Sequence, residues 1–265
     1  MNIQTVESFL EVFAPPRLAE TWDNVGLLVG DRQANVRRIM TCLTVTPVTA
    51  DEAIAGQADL IVTHHPMPFS AVKRLTTDTI VGRILLKLIA AGVAVYSPHT
   101  AFDSAAEGIN QRLAEGLELE EIEPLVQCDG MPAQGAGRRG RLPQPVTLDE
   151  LARRLMKFLG IANLQTVGEV AQKHCTVAVA CGAAGEFLEA ARSSGCDAMV
   201  LGEARFHTCL EAEAWGLGLL LPGHYASERF AVDALANVLG RRFPDVQVWA
   251  SRTECDPVRW LGSGL

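Results

Sequence analysis

The 265-residue chain reads as an α/β protein built from two similar α/β/α lobes with mixed sheets. Three observations carry that reading. Short apolar or β-branched runs alternate with segments of helical spacing, a Gly/Pro/Arg-rich stretch interrupts the middle, and the two halves echo each other. Strand, helix, strand, helix in succession implies a parallel or mixed sheet covered on both faces.

The elements follow in order. In residues 4–14, Val6, Phe9, Leu10 and Phe13 share one helical face, and Pro15-Pro16 ends the helix. Val25–Val29 and Ile39–Val45 are strands, Val48–Gly56 a helix, and Leu60–Val62 a strand running into Thr63-His64-His65-Pro66. Ile80–Ala91 is an apolar helix and Val93–Tyr96 a strand ending near His99. Ser104-Ala-Ala-Glu107 has the spacing of a capping box, predicting a helix that runs toward Leu113. Residues 129–145, rich in Gly, Pro and Arg, predict a loop or irregular edge and the best boundary. The lobes then span 1–127 and 128–265, with the last helix free to pack back on the first lobe.

In the second half, Thr147–Leu159 is amphipathic, with Leu148, Leu151, Leu155 and Leu159 on one face. Strands at Thr176–Cys181, Ala198–Leu201 and Leu217–Leu221 alternate with helices at Glu186–Ser193, His207–Trp215 and Glu228–Leu239. The echo is specific. Ala58–His65 parallels Cys196–Glu203, Gly92–His99 parallels Gly216–His224, and His99-x-x-x-Asp103 parallels His224-x-x-x-Glu228. A duplicated α/β unit accounts for all three.

Composition narrows the function classes. Net charge is −8, which disfavours a nucleic-acid partner. Arg138, Arg139 and Arg141 form the one basic cluster and read as a solvated loop. The seven cysteines include no C-x-x-C pair, so they read as reduced core thiols of a cytoplasmic protein. The first residues lack the pattern of a signal peptide, and no apolar run has the length of a membrane span.

Five of the six histidines fall in four short segments, each following an apolar run: His64-His65, His99 with Asp103, His207 with Glu203, and His224 with Glu228. Imidazole and carboxylate are ligands of borderline and hard divalent metals. In α/β sheets, ligands bind beyond the carboxyl ends of the strands. The segments therefore point to a metal site in the cleft between the lobes, with room for two ions. Adjacent His64 and His65 diverge and need not serve the same ion. Asp103 has a bland alternative, as an acid favouring a helix N-terminus. His207 stays open between ligand and surface residue, and His174 is assigned no role. Gly182-Ala-Ala-Gly185 reads as a tight turn rather than a phosphate cradle, and Trp22-Asp23-Asn24 as an Asx-type turn whose polar groups could reach a pocket.

Trp22-Asp-Asn-Val-Gly-Leu-Leu-Val-Gly30, Thr63-His-His-Pro66, His99-Thr-Ala-Phe-Asp103 and Pro222-Gly-His-Tyr-Ala-Ser-Glu-Arg229 together resemble the Nif-three-like dinuclear metal family. Its members are often labelled GTP cyclohydrolase 1 type 2 homologues. The resemblance runs from about residue 4 to about residue 250. It implies two divalent metal ions per subunit, held by His64, His65, Asp103, His224 and Glu228, with His99 beside them as ligand or proton shuttle. Such a donor set suits zinc, iron, manganese or nickel. Gly137-Arg138-Arg139-Gly140 looks like the family's Gly-Arg-x-Gly element. The short form, without a long central insertion, implies a toroidal homohexamer. Phe206 stands where the family often carries a second histidine. The expected function is a metal-dependent hydrolase with a small-molecule or nucleotide substrate, or else a non-catalytic metal-binding assembly or regulatory protein. A ring threading single-stranded nucleic acid is a weaker third idea, resting on the three arginines.

Overall fold

A computed structural model describes residues 1–128 and 130–259; Asp129 and residues 260–265, which the expected second lobe includes, lie outside the described residues. The chain opens with α1 (Ile3–Phe13), β1 (Gly26–Val29), β2 (Arg38–Cys42), α2 (Pro47–Ala55), β3 (Leu60–Thr63), α3 (Ile80–Ala90) and β4 (Ala94–Ser97). It continues through α4 (His99–Ser104), α5 (Ile109–Gly116), β5 (Glu120–Glu123), β6 (Val126–Cys128), β7 (Met131–Ala136) and β8 (Arg138–Thr147). The last part runs α6 (Leu148–Leu159), β9 (Gln165–Val167), β10 (Lys173–Ala180), α7 (Leu188–Ser193), β11 (Ala198–Leu201), α8 (Phe206–Trp215), β12 (Gly218–Leu221), α9 (His224–Arg242) and β13 (Gln247–Ala250).

Two mixed sheets form, in the orders β1-β4-β3-β2-β13 and β5-β8-β10-β11-β12-β9. Within each, three successive strands are parallel: β2, β3 and β4 in one, β10, β11 and β12 in the other. Each sheet also takes a short strand from just before its parallel set, β1 or β9, antiparallel to the third strand. The sequence echo is therefore a repeat of topology as well as of residues.

Each parallel strand is buried on both faces, so its two side-chain parities feed two cores. Ile39, Leu60 and Tyr96 face α1 and α9, while Met40, Ile61 and Val95 face α2 and α3. Val177, Val179 and Val200 face α5 and α6, while Ala178, Met199 and Leu219 face α7 and α8. These are the α/β/α layers expected from the sequence.

The chain crosses between the sheets more than once. The position 127/128 falls in the β6–β7 ribbon. β5, before it, pairs with β8 of the six-stranded sheet, and β13, near the other end, pairs with β2 of the five-stranded sheet. Leu235, Leu239 and Phe243 of α9 share a core with Ile3, Val6 and Leu10 of α1. The last long helix thus packs on the first sheet.

Three local expectations need correction. Ser104 ends α4 instead of capping a helix; Ala105 is extended and α5 starts after Gly108. The spacing of a capping box is local, and here burial of His99, Ala101 and Phe102 wins by making the preceding segment helical. Residues 131–147 are strands β7 and β8 rather than a loop. β5 covers only Arg139 and Arg141 on its side, so Pro143 and Pro145 lie past that pairing, where proline removes no bond to β5. The third concerns Arg138, which is no solvated residue: its relative exposure is 0 %.

The Arg138 guanidinium donates to the carbonyls of Gly135, Gly137 and Ala105 at 2.7 Å each, and to Ser104 O at 3.3 Å. Its Nε donates to Gln111 Oε1 at 2.9 Å. Burial pulls its pKa down to about 10, so it stays charged at neutral pH. A cation at the last carbonyls of α4 suits the helix dipole and fixes the helix that carries His99 and Asp103. Arg138→Ala strips those carbonyls of their donor and is expected to lower the unfolding free energy by at least about 3 kcal/mol in urea denaturation. A loss within about 1 kcal/mol of the parent would show that the guanidinium holds nothing in place.

Candidate metal centre

The carboxyl ends of the two parallel sets meet. His64 and His65 follow β3, with their amides still bonded to Cys42 O and Leu43 O, so the strand ladder fixes their backbone. His99 and Asp103 are four apart on α4 after β4, which puts them on neighbouring turns of one face. His224 and Glu228 stand in the same relation on α9, which begins directly after Gly223. Periodicity places that helix start only at Glu228, because the first turn carries site residues where a packing helix would carry apolar ones.

Glu228 is the shared member. Its Oε1 lies 3.8 Å from His64 Nε2, which in turn lies 3.7 Å from Asp103 Oδ1. Its Oε2 lies 3.2 Å from both His65 Nε2 and His224 Nε2. One carboxylate thus presents one oxygen to His64 and Asp103 and the other to His65 and His224. Potential ligand atoms of His65, His224 and Glu228 lie within 4.8 Å of one another, as do those of His64, His65 and His99. His64 and His65 diverge less than expected: their rings lie 5.0 Å apart, tilted by 49°, with ligand atoms in one cluster, although their Nε2 atoms approach different oxygens of Glu228.

A second tier of residues holds these side chains. Asp23 Oδ1 accepts from His99 Nδ1 at 2.7 Å, and its Oδ2 accepts from the Thr100 amide and hydroxyl. His99 itself sits at φ +28°, strain that this anchoring maintains. The Thr44 hydroxyl meets His65 Nδ1 at 2.7 Å, and Thr44 N donates to Glu254. Glu203 Oε1 meets His224 Nδ1 at 2.9 Å. Cys181 Sγ donates to Asp103 Oδ1, and Asn110 joins the Cys181 amide to the Asp103 carbonyl. Gly182, at φ +66°, approaches so closely that a Cβ there would lie 2.4 Å from Glu228 Oε1.

Electrostatics separates the groups. Burial alone would raise Glu228, yet the imidazoles of His224, His64 and His65 hold its carboxyl well below the usual range. Asp103 is pushed up by burial, with His64 opposing. Burial pulls His64 down, but Asp103 and Glu228 raise it overall. Burial lowers His65. His224 is pushed up to about 9, by Glu228 first, against burial, with help from Glu203.

Both ring nitrogens of His64 are buried with no hydrogen-bond partner among the described residues. Leaving such groups unpaired costs about 1–3 kcal/mol each. A divalent cation among the donors would satisfy them, and an imidazole–carboxylate set is chemically suited to one. The residues present therefore fit a bound metal.

All six residues singled out in the sequence, His64, His65, His99, Asp103, His224 and Glu228, come together here. His207 does not: it is exposed on α8, its ring against Phe206. His174 is buried at the opposite end of β10 and donates to Asp197 O at 2.8 Å. Glu203 lines cavities and holds His224. Sequence reasoning treated Asp23 mainly as a turn residue and left Thr44, Asn110 and Cys181 aside. The repeat holds a signal for Glu203, which occupies the position equivalent to His65. Thr44 and Cys181 sit just past β2 and β10, so strand ends again mark the rim. Gly182, Ala183 and Ala184, in the turn after β10, line the cavity that also takes in His65, His99, His224 and Glu228.

The family model for Duf34/NIF3 (NGG1p interacting factor 3) matches residues 1–257. A "GTP cyclohydrolase 1 type 2 homolog" of Clostridium acetobutylicum is 32% identical over 265 residues, covering 98% of this chain and 99% of that one. A "Protein NIF3 homolog" of Schizosaccharomyces pombe is 31% identical, covering 96% of each. Among solved structures, a hypothetical protein of Staphylococcus aureus superposes with a TM-score of 0.90 at 26% identity, covering 98% of this chain and 99% of that one.

In chelator-treated protein the His224 imidazole should titrate near 9, above its ordinary value of 6.5, when followed by NMR. Because its folded value is raised, the stability it contributes is complete below pH 6.5 and is lost as pH rises through about 9. Glu203→Gln should shift the titration downward. A value at or below 6.5 in the parent would contradict the pairing with Glu228.

Proposed function

The chain belongs to the Duf34/NIF3 family, and from that premise we propose that it is a dinuclear metal-binding protein acting as a metal-dependent hydrolase. The observation that carries the reading is the two-sided Glu228 carboxylate. His64, His65, Asp103, His224 and Glu228 would hold the divalent ions, with Glu228 the member common to His64 on one side and His65 and His224 on the other. When bound, two such ions supply Lewis acidity and neutralise charge that develops in hydrolysis.

The chain's own residues supply positioning and proton transfer. Asp23 engages His99 at Nδ1, which leaves Nε2 as the nitrogen able to take or give a proton in the cavity. The Asp23 carboxylate fixes the orientation of the ring, the part a carboxylate plays in a carboxylate–histidine pair. Asp23 itself stays ionised: burial opposes this, but His99 and Thr100 bring its pKa down to about 2. Thr44 and Glu203 orient His65 and His224 through their Nδ1 atoms, so that Nε2 of each faces Glu228. Substrates would include a nucleotide such as GTP, following the name of the Clostridium relative. The same reading places the protein in the cytoplasm as a homo-oligomer, hexameric if it follows the short-form members it resembles.

Burial of His64 and Glu228 also suits a protein that retains ions without turnover, in assembly or regulation. Turnover separates the two.

Metal analysis of the purified protein should give two divalent ions per chain. Asp103→Ala and Glu228→Ala should each cut bound metal by more than the roughly 10–100-fold typical of a supporting residue. His174→Ala should leave it unchanged, and equal losses for His174→Ala and Asp103→Ala would undo the assignment of ligands. With metal-loaded protein, GTP and a panel of phosphoesters and cyclic amides should reveal turnover that His65→Ala abolishes. His99→Ala should keep the metal and lose about 10²–10⁴-fold in rate. If no substrate in the panel is consumed, the non-catalytic reading prevails.

A further inference from the structure

Trp22 and Phe69 stand out against the polar site beside them. They are 61 % and 56 % exposed, and their ring centroids lie 6.0 Å apart with planes tilted by 37°. Solitary exposed apolar residues need no explanation, but two large aromatic rings in mutual contact at a cavity mouth mark a binding surface. Both line the same cavity of about 410 Å³ as His65, His99, His224 and Glu228. That volume lies within the range of small-molecule sites, about 300–1,000 Å³.

The rings are held in place from behind. Asn24 Nδ2 donates to Pro68 O at 2.9 Å, tying the segment that carries Trp22 to the one that carries Phe69. Glu20 N donates to the Thr100 hydroxyl and Asp23 grips His99 and Thr100, so the same segment is fastened to the start of α4. His99 meets Trp22 and Phe69 edge-on, at 6.0 and 6.1 Å with interplanar angles of 76° and 77°. A ring laid on this surface would therefore be presented to His99 and to the Glu228 cluster. Opposite lie small residues and turn backbone, Gly182 to Ala184.

Charge orients the occupant. Among the described residues lining this cavity there is no lysine or arginine, while Glu20 and Glu186 do line it. Arg205 and Arg259 belong to separate cavities beyond Glu203 and His224. An anionic tail would be drawn to His224 and to the metal centre, leaving the ring to the aromatic pair.

We propose that Trp22 and Phe69 form a preassembled stacking platform that positions a planar heteroaromatic ring against the metal centre. The inference rests on the metal-binding reading above and narrows its substrate class. Stacking accepts any planar heterocycle, because every such ring has a π face. Selectivity comes from what is excluded: saturated rings gain no stacking.

Equilibrium dialysis of the full-length protein, with bound metal quantified in every sample, tests this with guanosine, cytidine, ribose and GTP. Guanosine and cytidine should bind and ribose should not, with GTP binding dependent on Trp22 as guanosine binding is. Trp22→Ala and Phe69→Ala should each weaken nucleoside binding about 10- to 100-fold. Metal content and thermal midpoint should stay unchanged, and Trp22→Phe should restore most of the affinity. Ribose binding as well as guanosine, or alanine variants that bind like the parent, would each overturn the proposal. A metal-loaded parent that binds neither nucleoside sinks the platform and leaves the metal reading standing. Trp22-dependent guanosine binding by a parent that never holds metal supports the platform and removes the metal reading.

Discussion

The burial of one carboxylate, Glu228, sets the terms for the rest of the molecule. A carboxylate taken out of water is costly unless polar or cationic groups surround it. The groups that surround this one come from distant parts of the chain: His64 and His65 from the end of β3, and His224 from its own helix. No single sheet could supply them. The rims of both sheets must meet, and they can meet only if α9 starts at His224 and turns Glu228 inward.

Much of the remaining architecture keeps those rims in register. α9 leaves β12 of one sheet, packs against α1 on the other, and leads into β13 beside β2. The segment after β13 is fastened to the first sheet by acids. Glu52 accepts from Ser251, Arg252 and Thr253, while Glu254 accepts from the Leu43 and Thr44 amides and pairs with Arg229 of α9. Because Thr44 also meets His65, this fastening reaches the centre directly. On the other side Arg138 closes the end of α4, and Asn110 joins Asp103 to the end of β10. The centre is thus braced from both sheets.

Sequence and structure agree most where burial follows a simple period. The parallel strands and the helices α1, α2, α3 and α6 are visible as apolar runs or faces. The reading fails where residues serve something other than a core. Ser104 and Glu107 have capping-box spacing but no helix to cap. The Gly/Pro/Arg content of residues 129–145 looks like a loop, yet β8 gains its bonds from β5 and β10, strands distant in sequence. Arg138 looks solvated because arginine usually is; its carbonyl partners are assembled only by folding. β5, β9 and β13 are short, and pairing rather than periodicity defines them.

The sequence by itself determines the fold class, the duplication and the six central residues, because strand ends, repeats and imidazole–carboxylate pairs are properties of order along the chain. Only the tertiary structure decides how the six divide. Two Glu228 oxygens facing different partners, Asp23 behind His99, Glu203 behind His224 and the exposed Trp22–Phe69 pair all depend on contacts between distant segments. Such contacts leave no periodic trace, because each is a single meeting of side chains whose separation along the chain is unrelated to their separation in space.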